Sequence, residues 1–314
     1  MNLQQLQYII AVDQHRHFVK AAESCFVTQA TLSMMIRKLE DELGARLFDR
    51  SKMPVIPTDI GVQVIEQAKV VVREAAKIQE QVQAQKGTLA GHLRLGIIPT
   101  LAPYLLPQIL PPFLQQHPQV RLHITELNTS TIIEQLEAQK LDAAILATPL
   151  ERPSLLETPL FYEQFVVYAA QQHQFTNKKY ILPADIDVNE LWLLEEGHCL
   201  RTQALNLCEL KKQEAALHQL NYQAGSIETL RKLVRLNNGV TIIPELALAD
   251  LTEDEKACIR FFKPPAPVRE ISMVTYRHFI KQRLVQALQQ VILQQIPPAM
   301  HSPAQKSITS LATT

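Results

Sequence analysis

The sequence predicts an α/β protein with an all-α head, a long connecting helix and a larger body in which strands and helices alternate. Three observations predict it. Apolar residues recur at helical spacing through the first sixty residues. From Ile60 to Val82 they recur at about the 3.5-residue period of a coiled-coil seam. From Gly91 onward, short apolar runs bounded by turn residues alternate with helical patterns.

Composition bounds the rest. A chain of 314 residues accommodates two or three domains of ordinary size, and 46% apolar residues supply real cores. The 31 basic and 31 acidic residues cancel, so bulk charge gives no hint of nucleic acid. Within the head, Arg16, Lys20, Arg37, Lys38, Arg46, Arg50 and Lys52 are balanced by Asp13, Glu23, Glu40, Asp41, Glu42, Asp49 and Asp59. Any contact with DNA must rest on where these charges point. No apolar run reaches the length of a membrane span, and Met1-Asn2-Leu3-Gln4-Gln5 lacks the basic and apolar regions of a signal peptide. The chain is therefore expected in the cytoplasm, with no membrane partner, where thiols are kept reduced.

Leu3, Leu6, Tyr8, Ile9, Ile10 and Val12 outline a first helix, and Phe18 to Ser24 a second, with the small pair Ala21-Ala22 where another helix can approach. After Cys25-Phe26-Val27, Thr28 can cap a third helix running to about Leu43, with Leu32, Ile36, Leu39 and Leu43 directed to the core. Gln29, Thr31, Ser33, Met34, Arg37 and Lys38 are left outward. Two helices, a three-residue turn and a third helix with a polar amino end describe a helix-turn-helix, whose last helix enters the major groove. Gln29 and Ser33 can bond base edges or phosphates, while Arg37 and Lys38 can reach phosphates. Two short extended runs around Leu47-Phe48 and Val55-Ile56, bent at Met53-Pro54, have the size of a wing with Arg50 and Lys52 at its tip. The alternative is any small three-helix domain with an exposed polar helix.

The runs Phe18-Val19-Lys20-Ala21-Ala22-Glu23, Val27-Thr28-Gln29-Ala30-Thr31-Leu32-Ser33, Ile36-Arg37-Lys38-Leu39-Glu40-Asp41-Glu42-Leu43-Gly44 and Leu47-Phe48-Asp49-Arg50 closely resemble the winged helix-turn-helix of LysR-type transcriptional regulators. The resemblance implies a DNA-binding domain over residues 1–58 that uses Thr28, Gln29, Thr31, Ser33, Arg37, Lys38 and Arg50 on double-stranded promoter DNA. Ala30 stands where the family usually has proline, which should soften the start of the recognition helix.

The seam Ile60, Val64, Ala68, Val71, Ala75, Ile78 and Val82 lies on a helix over residues 59–87, about 43 Å long. One apolar stripe with glutamine-rich flanks suits a partner helix, and an intramolecular docking helix is the alternative. In the family this segment is the linker helix of a dimer. Residues 88–296 then read as strands at Leu93–Ile98, Val120–Leu127, Ala143–Leu146, Phe165–Ala170, Trp192–Leu194, Tyr222–Ala224, Val240–Ile243 and Ile271–Tyr276. Helices separate them at Leu101–Gln116, Ser130–Gln139, Ile227–Leu236 and, at the end, Ile280–Gln295. This alternation implies parallel sheets flanked by helices. It is similar to the family's two-lobed, periplasmic-binding-protein-like regulatory domain. Pro297-Pro298 and a Ser/Thr-rich run over 297–314 read as a disordered tail.

Within the body, Trp192-Leu193-Leu194-Glu195-Glu196-Gly197-His198-Cys199-Leu200-Arg201 reads as a buried strand that breaks at glycine into a turn carrying a thiol, with Cys208 nine residues on. His198 and Arg201 favour a thiolate at Cys199, and Glu195 and Glu196 oppose it. On one helix from Leu200 to Glu214 the two sulfurs start roughly 13 Å apart along its axis. A disulfide needs Cα atoms within about 7 Å, so joining them would unwind the segment. Two unrelated packed thiols are the alternative reading. Thr100, Thr129 and His198 lie near strand ends, where ligand crevices of open α/β sheets form. Two hydroxyls, an imidazole and a thiol suit hydrogen peroxide: donors hold one oxygen, a thiolate attacks the other, and a proton leaves with hydroxide.

This segment resembles the redox segment of the peroxide-sensing branch of the LysR family. The resemblance implies that Cys199 is the peroxidatic thiol and Cys208 the resolving one, and that Thr100, Thr129, His198 and Arg269 bind peroxide. It further implies a homodimer or homotetramer, contact with RNA polymerase, a reductant such as glutaredoxin or thioredoxin, control of oxidative-stress genes, and no cofactor or metal. Thr202 stands where the family often has aspartate. Cys25 and Cys258 are expected to be packed thiols. Three other readings fit parts of the chain: a regulator of this family sensing a small organic effector, a thiol peroxidase, and a solute-binding protein. The head argues against the last two.

Overall fold

The computed structural model describes residues 1–85, 89–187, 189–195, 199–208, 224–277, 279, 281–302 and 306–308. The chain divides into two compact units, the head with its long helix and a body that begins at Leu89.

In the head, α1 (Leu3–His15) opens with a reciprocal cap. The Asn2 side chain accepts from the Gln5 amide and the Gln5 side chain accepts from the Asn2 amide, both at 2.9 Å. Helix α2 (Phe18–Ser24) brings Ala21 and Ala22 into the core, and the turn after it places Phe26 at φ 56°. Helix α3 (Gln29–Leu43) is capped by the Thr28 hydroxyl, which accepts from the Thr31 amide at 3.2 Å. It ends at Gly44, whose φ of 65° is the left-handed conformation that glycine adopts without strain. The Thr28 cap thus starts the helix that Ala30 cannot stiffen. Leu32, Ile36 and Leu39 are fully buried against Leu6, Ile9, Val12, Ala21 and Ala22. Leu43, expected in the core, is exposed at the last residue of α3, next to the Gly44 cap where the helix ends. Strands β1 (Phe48–Asp49) and β2 (Ile56–Pro57) pair antiparallel as the wing.

Helix α4 (Asp59–Gln85) has 27 residues. Its apolar residues serve two purposes. Ile65 and Ala68 are buried in the head core with Val64 and Val72 beside them, and Lys69 bonds Asp13 of α1 at 3.4 Å. Ile60, Val71 and Ile78 of the expected seam are exposed, Ile78 at 62%. The first turns therefore dock within the chain, and the continuing stripe is left uncovered.

The body holds β3 (Ala90–Ile97), α5 (Ala102–Gln116), β4 (Gln119–Glu126), α6 (Thr129–Glu137), β5 (Ala143–Thr148), β6 (Leu155–Ala169), α7 (Cys199–Leu207), α8 (Ile227–Leu236), β7 (Val240–Pro244), α9 (Glu253–Lys256), β8 (Ile259–Phe261), β9 (Ala266–Tyr276), α10 (Gln282–Gln295) and β10 (Lys306–Ile308). The strand path is β4-β3-β5-β9-β6-β7. Among the described residues, β4, β3 and β5 form the expected parallel sheet; β9 runs antiparallel to β5 and β6, and β7 and β8 antiparallel to β6. The sheet is mixed because β6 and β9 carry the chain between lobes in opposite directions. Residues Leu155–Gln164 of β6 pair with β9, and Phe165–Ala169 pair with β7, so one strand belongs to both lobes. Among the described residues, the expected strand at Trp192–Leu194 is bounded by parallel bridges, Leu191 to Val240 and Leu194 to Ala224. Tyr222 and Gln223 lie outside the described residues.

The tail is more structured than its composition implies. Pro298–Met300 form a 3-10 turn that buries Met300, and Lys306–Ile308 pair parallel with Ala266–Val268. A buried methionine and an open edge of β9 supply contacts that low-complexity sequence does not advertise.

Gly61, in the first turn of α4, fits tightly beneath the strand leading into the wing. A Cβ there would overlap the Leu47 carbonyl oxygen and lie 2.9 Å from its carbonyl carbon. The same oxygen accepts from the Thr58 amide at 3.0 Å, so the backbone has little room to withdraw. Gly61→Ala is expected to destabilise the head by about 2 kcal/mol, seen as a lower thermal midpoint by circular dichroism.

Candidate functional site

Cys199 is the first residue of α7 and is 6% exposed. Its own amide and that of Leu200 face the sulfur, as expected for a group at the positive end of a helix. Arg201 does not turn toward the thiol. Its Nη1 donates to the Leu194 carbonyl at 2.9 Å and ties the first turn of α7 to the preceding segment. His198 lies outside the described residues, as do Glu196 and Gly197.

The cation facing Cys199 is Arg269, at the middle of β9. Its guanidinium is 0% exposed. Nε donates to Glu163 Oε2 at 2.8 Å, and Nη2 lies 2.8 Å from the same oxygen. Nη1 donates to the Thr100 hydroxyl at 3.1 Å and Nη2 to the Thr100 carbonyl at 3.2 Å. Thr100 is held in the turn after β3, where the Leu101 amide bonds the Ile98 carbonyl. Thr129 opens α6, capped by Asn128, whose Oδ1 accepts from the Thr131 amide at 2.9 Å. The Thr129 hydroxyl is buried without a well-aligned partner among the described residues and lies against the Cys199 thiol. Thr100, Thr129, Cys199 and Arg269 thus come together at the junction of the lobes.

Burial pushes the Cys199 thiol up, while the Arg269 charge, the Thr129 hydroxyl and the helix amides pull it down; burial prevails in this state. Cys208 has no such compensation, and burial alone pushes it up to about 12. Its amide bonds the Ala204 carbonyl at 3.2 Å, so the helical bonding of α7 reaches it. The two thiols stand at opposite ends of this helical run, separated by about 13 Å along the axis. Both are free, as are Cys25 and Cys258. Cys258 is buried with its sulfur 3.7 Å from the Asp254 carbonyl; Cys25 is half-buried, 3.9 Å from the Ser24 hydroxyl. Among the described residues no cluster of His, Cys, Asp or Glu could hold a metal ion. The arrangement is suited to a small polar molecule: a guanidinium and hydroxyls to hold it, and one thiol to react with it.

Glu163 was not evident as a site residue. The signal was present in the sequence: one acidic side chain within Phe161-Tyr162-Glu163-Gln164-Phe165, an otherwise largely apolar stretch, demands a buried partner.

On α3, Gln29, Thr31, Arg37 and Lys38 are exposed, outside the core-facing stripe of Leu32, Ile36 and Leu39. The Thr28 and Thr31 hydroxyls lie 2.9 Å apart, each engaging the other. Ser33 and Arg50 are placed differently from the expected outward groups. Arg50 Nη1 donates to the Ser33 hydroxyl at 3.3 Å, Nη2 lies 3.0 Å from Glu40, and the guanidinium stacks 5.0 Å from the Phe18 ring. Buried Glu40 also accepts from the Leu47 and Phe48 amides. Arg50 follows β1 directly and fastens the wing to α3 rather than standing free at the wing tip.

A helix-turn-helix head and a two-lobed α/β body with a guarded thiol at the lobe junction define a transcription regulator that responds to a small effector. Residues 3–62 match the bacterial regulatory helix-turn-helix model of the lysR family, and residues 86–297 match the LysR substrate binding domain. The chain belongs to the LysR family, whose members are transcription regulators and not enzymes. It is 39% identical over 274 residues to the hydrogen peroxide-inducible genes activator of Pectobacterium carotovorum subsp. carotovorum, covering 87% of this chain and 90% of that one. It is 38% identical over 274 residues to the DNA-binding transcriptional dual regulator OxyR of Escherichia coli K12, covering 87% and 89%. Full-length OxyR C199D from Pseudomonas aeruginosa superposes with a TM-score of 0.70 at 36% identity, covering 94% of this chain and 99% of that one.

The pH behaviour of Cys208 follows from its burial. Its protonated form stabilises the reduced fold in full below its ordinary value of 9.0, and that contribution is lost as pH rises toward about 12. Cys208→Ala is expected to flatten the decline of the thermal midpoint across this alkaline window relative to the parent, measured on the reduced protein.

Proposed function

We propose that this chain is a cytoplasmic, OxyR-like activator that senses hydrogen peroxide through Cys199 and Cys208 and controls oxidative-stress genes. The observation that carries the reading is the Cys199 thiol at a helix start, faced by Arg269 and Thr129, with a second thiol at the other end of the same helical run. The names of its relatives support the same reading.

Peroxide enters beside Thr100, Thr129, His198 and Arg269. The Cys199 thiolate attacks one oxygen, the O–O bond breaks, and hydroxide leaves with a proton as water, giving a sulfenic acid. The Cys208 sulfur then attacks the Cys199 sulfur, the S–O bond breaks, and a second water departs. Two thiols and one peroxide become one disulfide and two waters. Because the helix holds the sulfurs beyond disulfide range, α7 unwinds as the bond forms. A dithiol reductant of the glutaredoxin or thioredoxin kind returns both thiols.

DNA is read by Gln29, Thr31, Arg37 and Lys38 on the exposed side of α3, with Thr28 capping the helix and Ser33 and Arg50 holding the wing. The uncovered stripe of α4 through Val71 and Ile78 supports pairing with a second copy. Dimers and tetramers then place paired recognition helices on an extended promoter site within reach of RNA polymerase.

The test is thiol mapping by mass spectrometry after treating the reduced protein with about one equivalent of peroxide per subunit. A Cys199–Cys208 disulfide with Cys25 and Cys258 free is expected. Cys199→Ser should lose it while binding operator DNA as tightly as the parent. If Cys199 and Cys208 stay reduced in a protein that still binds DNA, a small organic effector takes the place of peroxide.

A further inference from the structure

Glu163 is a buried carboxylate that the sensing chemistry does not itself use. It sits on β6 directly across from Arg269 on β9, and both side chains are 0% exposed. One oxygen takes Nε and Nη2 of Arg269; the other accepts from the Leu246 amide at 2.8 Å, just after β7. Glu163 thus connects the crossing strands to the second lobe, while Arg269 reaches across to Thr100 of the first. A guanidinium has five N–H groups in a rigid fork. With Nε and Nη2 engaged by Glu163 and Thr100, the orientation of the plane is fixed, and one Nη1 hydrogen is left uncommitted among the described residues.

We propose that Glu163 is a positioning residue of the peroxide reaction: it clamps Arg269 so that the Nη1 edge faces the space between Thr100 and Cys199, and it offsets part of the charge that the thiol feels. The proposal rests on reading Cys199 as the peroxide-reactive thiol. The groups facing that thiol are Arg269 from β9, the Thr129 hydroxyl from α6 and the first amides of α7. Arg201 is turned away to Leu194, and His198 lies outside the described residues. Removing the Glu163 charge would leave Arg269 uncompensated and favour the thiolate. It would also loosen the fork, because a glutamine amide cannot accept from Arg269 and Leu246 through both of its ends.

Two quantities separate these effects. The first is the ionisation midpoint of Cys199, read from thiolate ultraviolet absorbance as the difference between each chain and its Cys199→Ser counterpart. The second is the peroxide rate constant per thiolate. Glu163→Gln is expected to lower the midpoint and, through misplacement of the guanidinium, to slow each thiolate about tenfold. Glu163→Asp keeps the charge but shortens the reach, so the midpoint should hold while the rate per thiolate still falls. It also decides the matter if the glutamine variant does not fold. A Glu163→Gln protein with an unmoved midpoint overturns the proposal, and so does a folded Glu163→Asp protein that reacts like the parent. A parent chain whose Cys199 does not react with peroxide overturns the sensor reading first, and the positioning role with it.

Discussion

A fully buried guanidinium is tolerable only if its hydrogens and its charge are both met, and the body of this protein is arranged to meet them for Arg269. Removing one partner of such a pair typically costs about 3–5 kcal/mol, because the other charge is left stranded. Glu163 supplies the charge from the neighbouring strand, and Thr100 supplies two oxygens from the turn after β3. These partners come from separate parts of the body: β6 and β9 cross between the lobes, while Thr100 lies in the turn that follows β3. The ion pair therefore fixes the register of the crossing strands and the seat of the Thr100 turn together.

The same arrangement explains why one thiol is poised and the other is not. Cys199 and Cys208 are both removed from water, which penalises their thiolates. Only Cys199 faces a cation, a hydroxyl and helix amides that repay part of the penalty. Cys208 is guarded by burial alone, so as a nucleophile it is silent until its surroundings open. The length of α7 adds a second restraint, since its helical bonding holds the sulfurs apart. In the proposed sensor, then, the conformational change is required by covalent geometry, and the thiol that completes it is protected from premature reaction by the same packing.

Much of the head was legible because local rules decide it. Thr28 and Gly44 bound α3 through a side-chain cap and a left-handed residue, and Leu32, Ile36 and Leu39 reach the core by their spacing alone. Thr100 and Thr129 were legible as strand-end groups that can meet the Cys199 thiol, whereas Arg269 was legible only through family resemblance, since its place within a strand far along the sequence hides its proximity. What could not be read was set by long-range partners. The antiparallel course of β6 and β9 is a property of the chain's return path and leaves no periodic trace. Arg50 reads as a free wing cation until Glu40, ten residues away, and the Phe18 ring are seen to hold it. Leu43 follows the core period yet stands 40% exposed at the last turn of α3.

Charge placement resolves the apparent neutrality of the molecule. The head's acidic residues do not simply cancel its basic ones: Glu40 is buried and consumed by Arg50, Arg46 and the wing amides, and Asp13 is taken by Arg16 and Lys69. Arg37 and Lys38 remain exposed on α3, as do Gln29 and Thr31, and neither cation forms an ion pair among the described residues. Phosphate attraction falls off within a Debye length of about 8–10 Å in physiological salt, so this local surface matters more to a DNA backbone than the chain's total charge. A neutral chain can still present basic side chains on one helix, because the buried Glu40 is turned inward to the wing amides and Arg50, while the exposed Asp41 and Glu42 sit at the far end of α3 from Gln29 and Thr31.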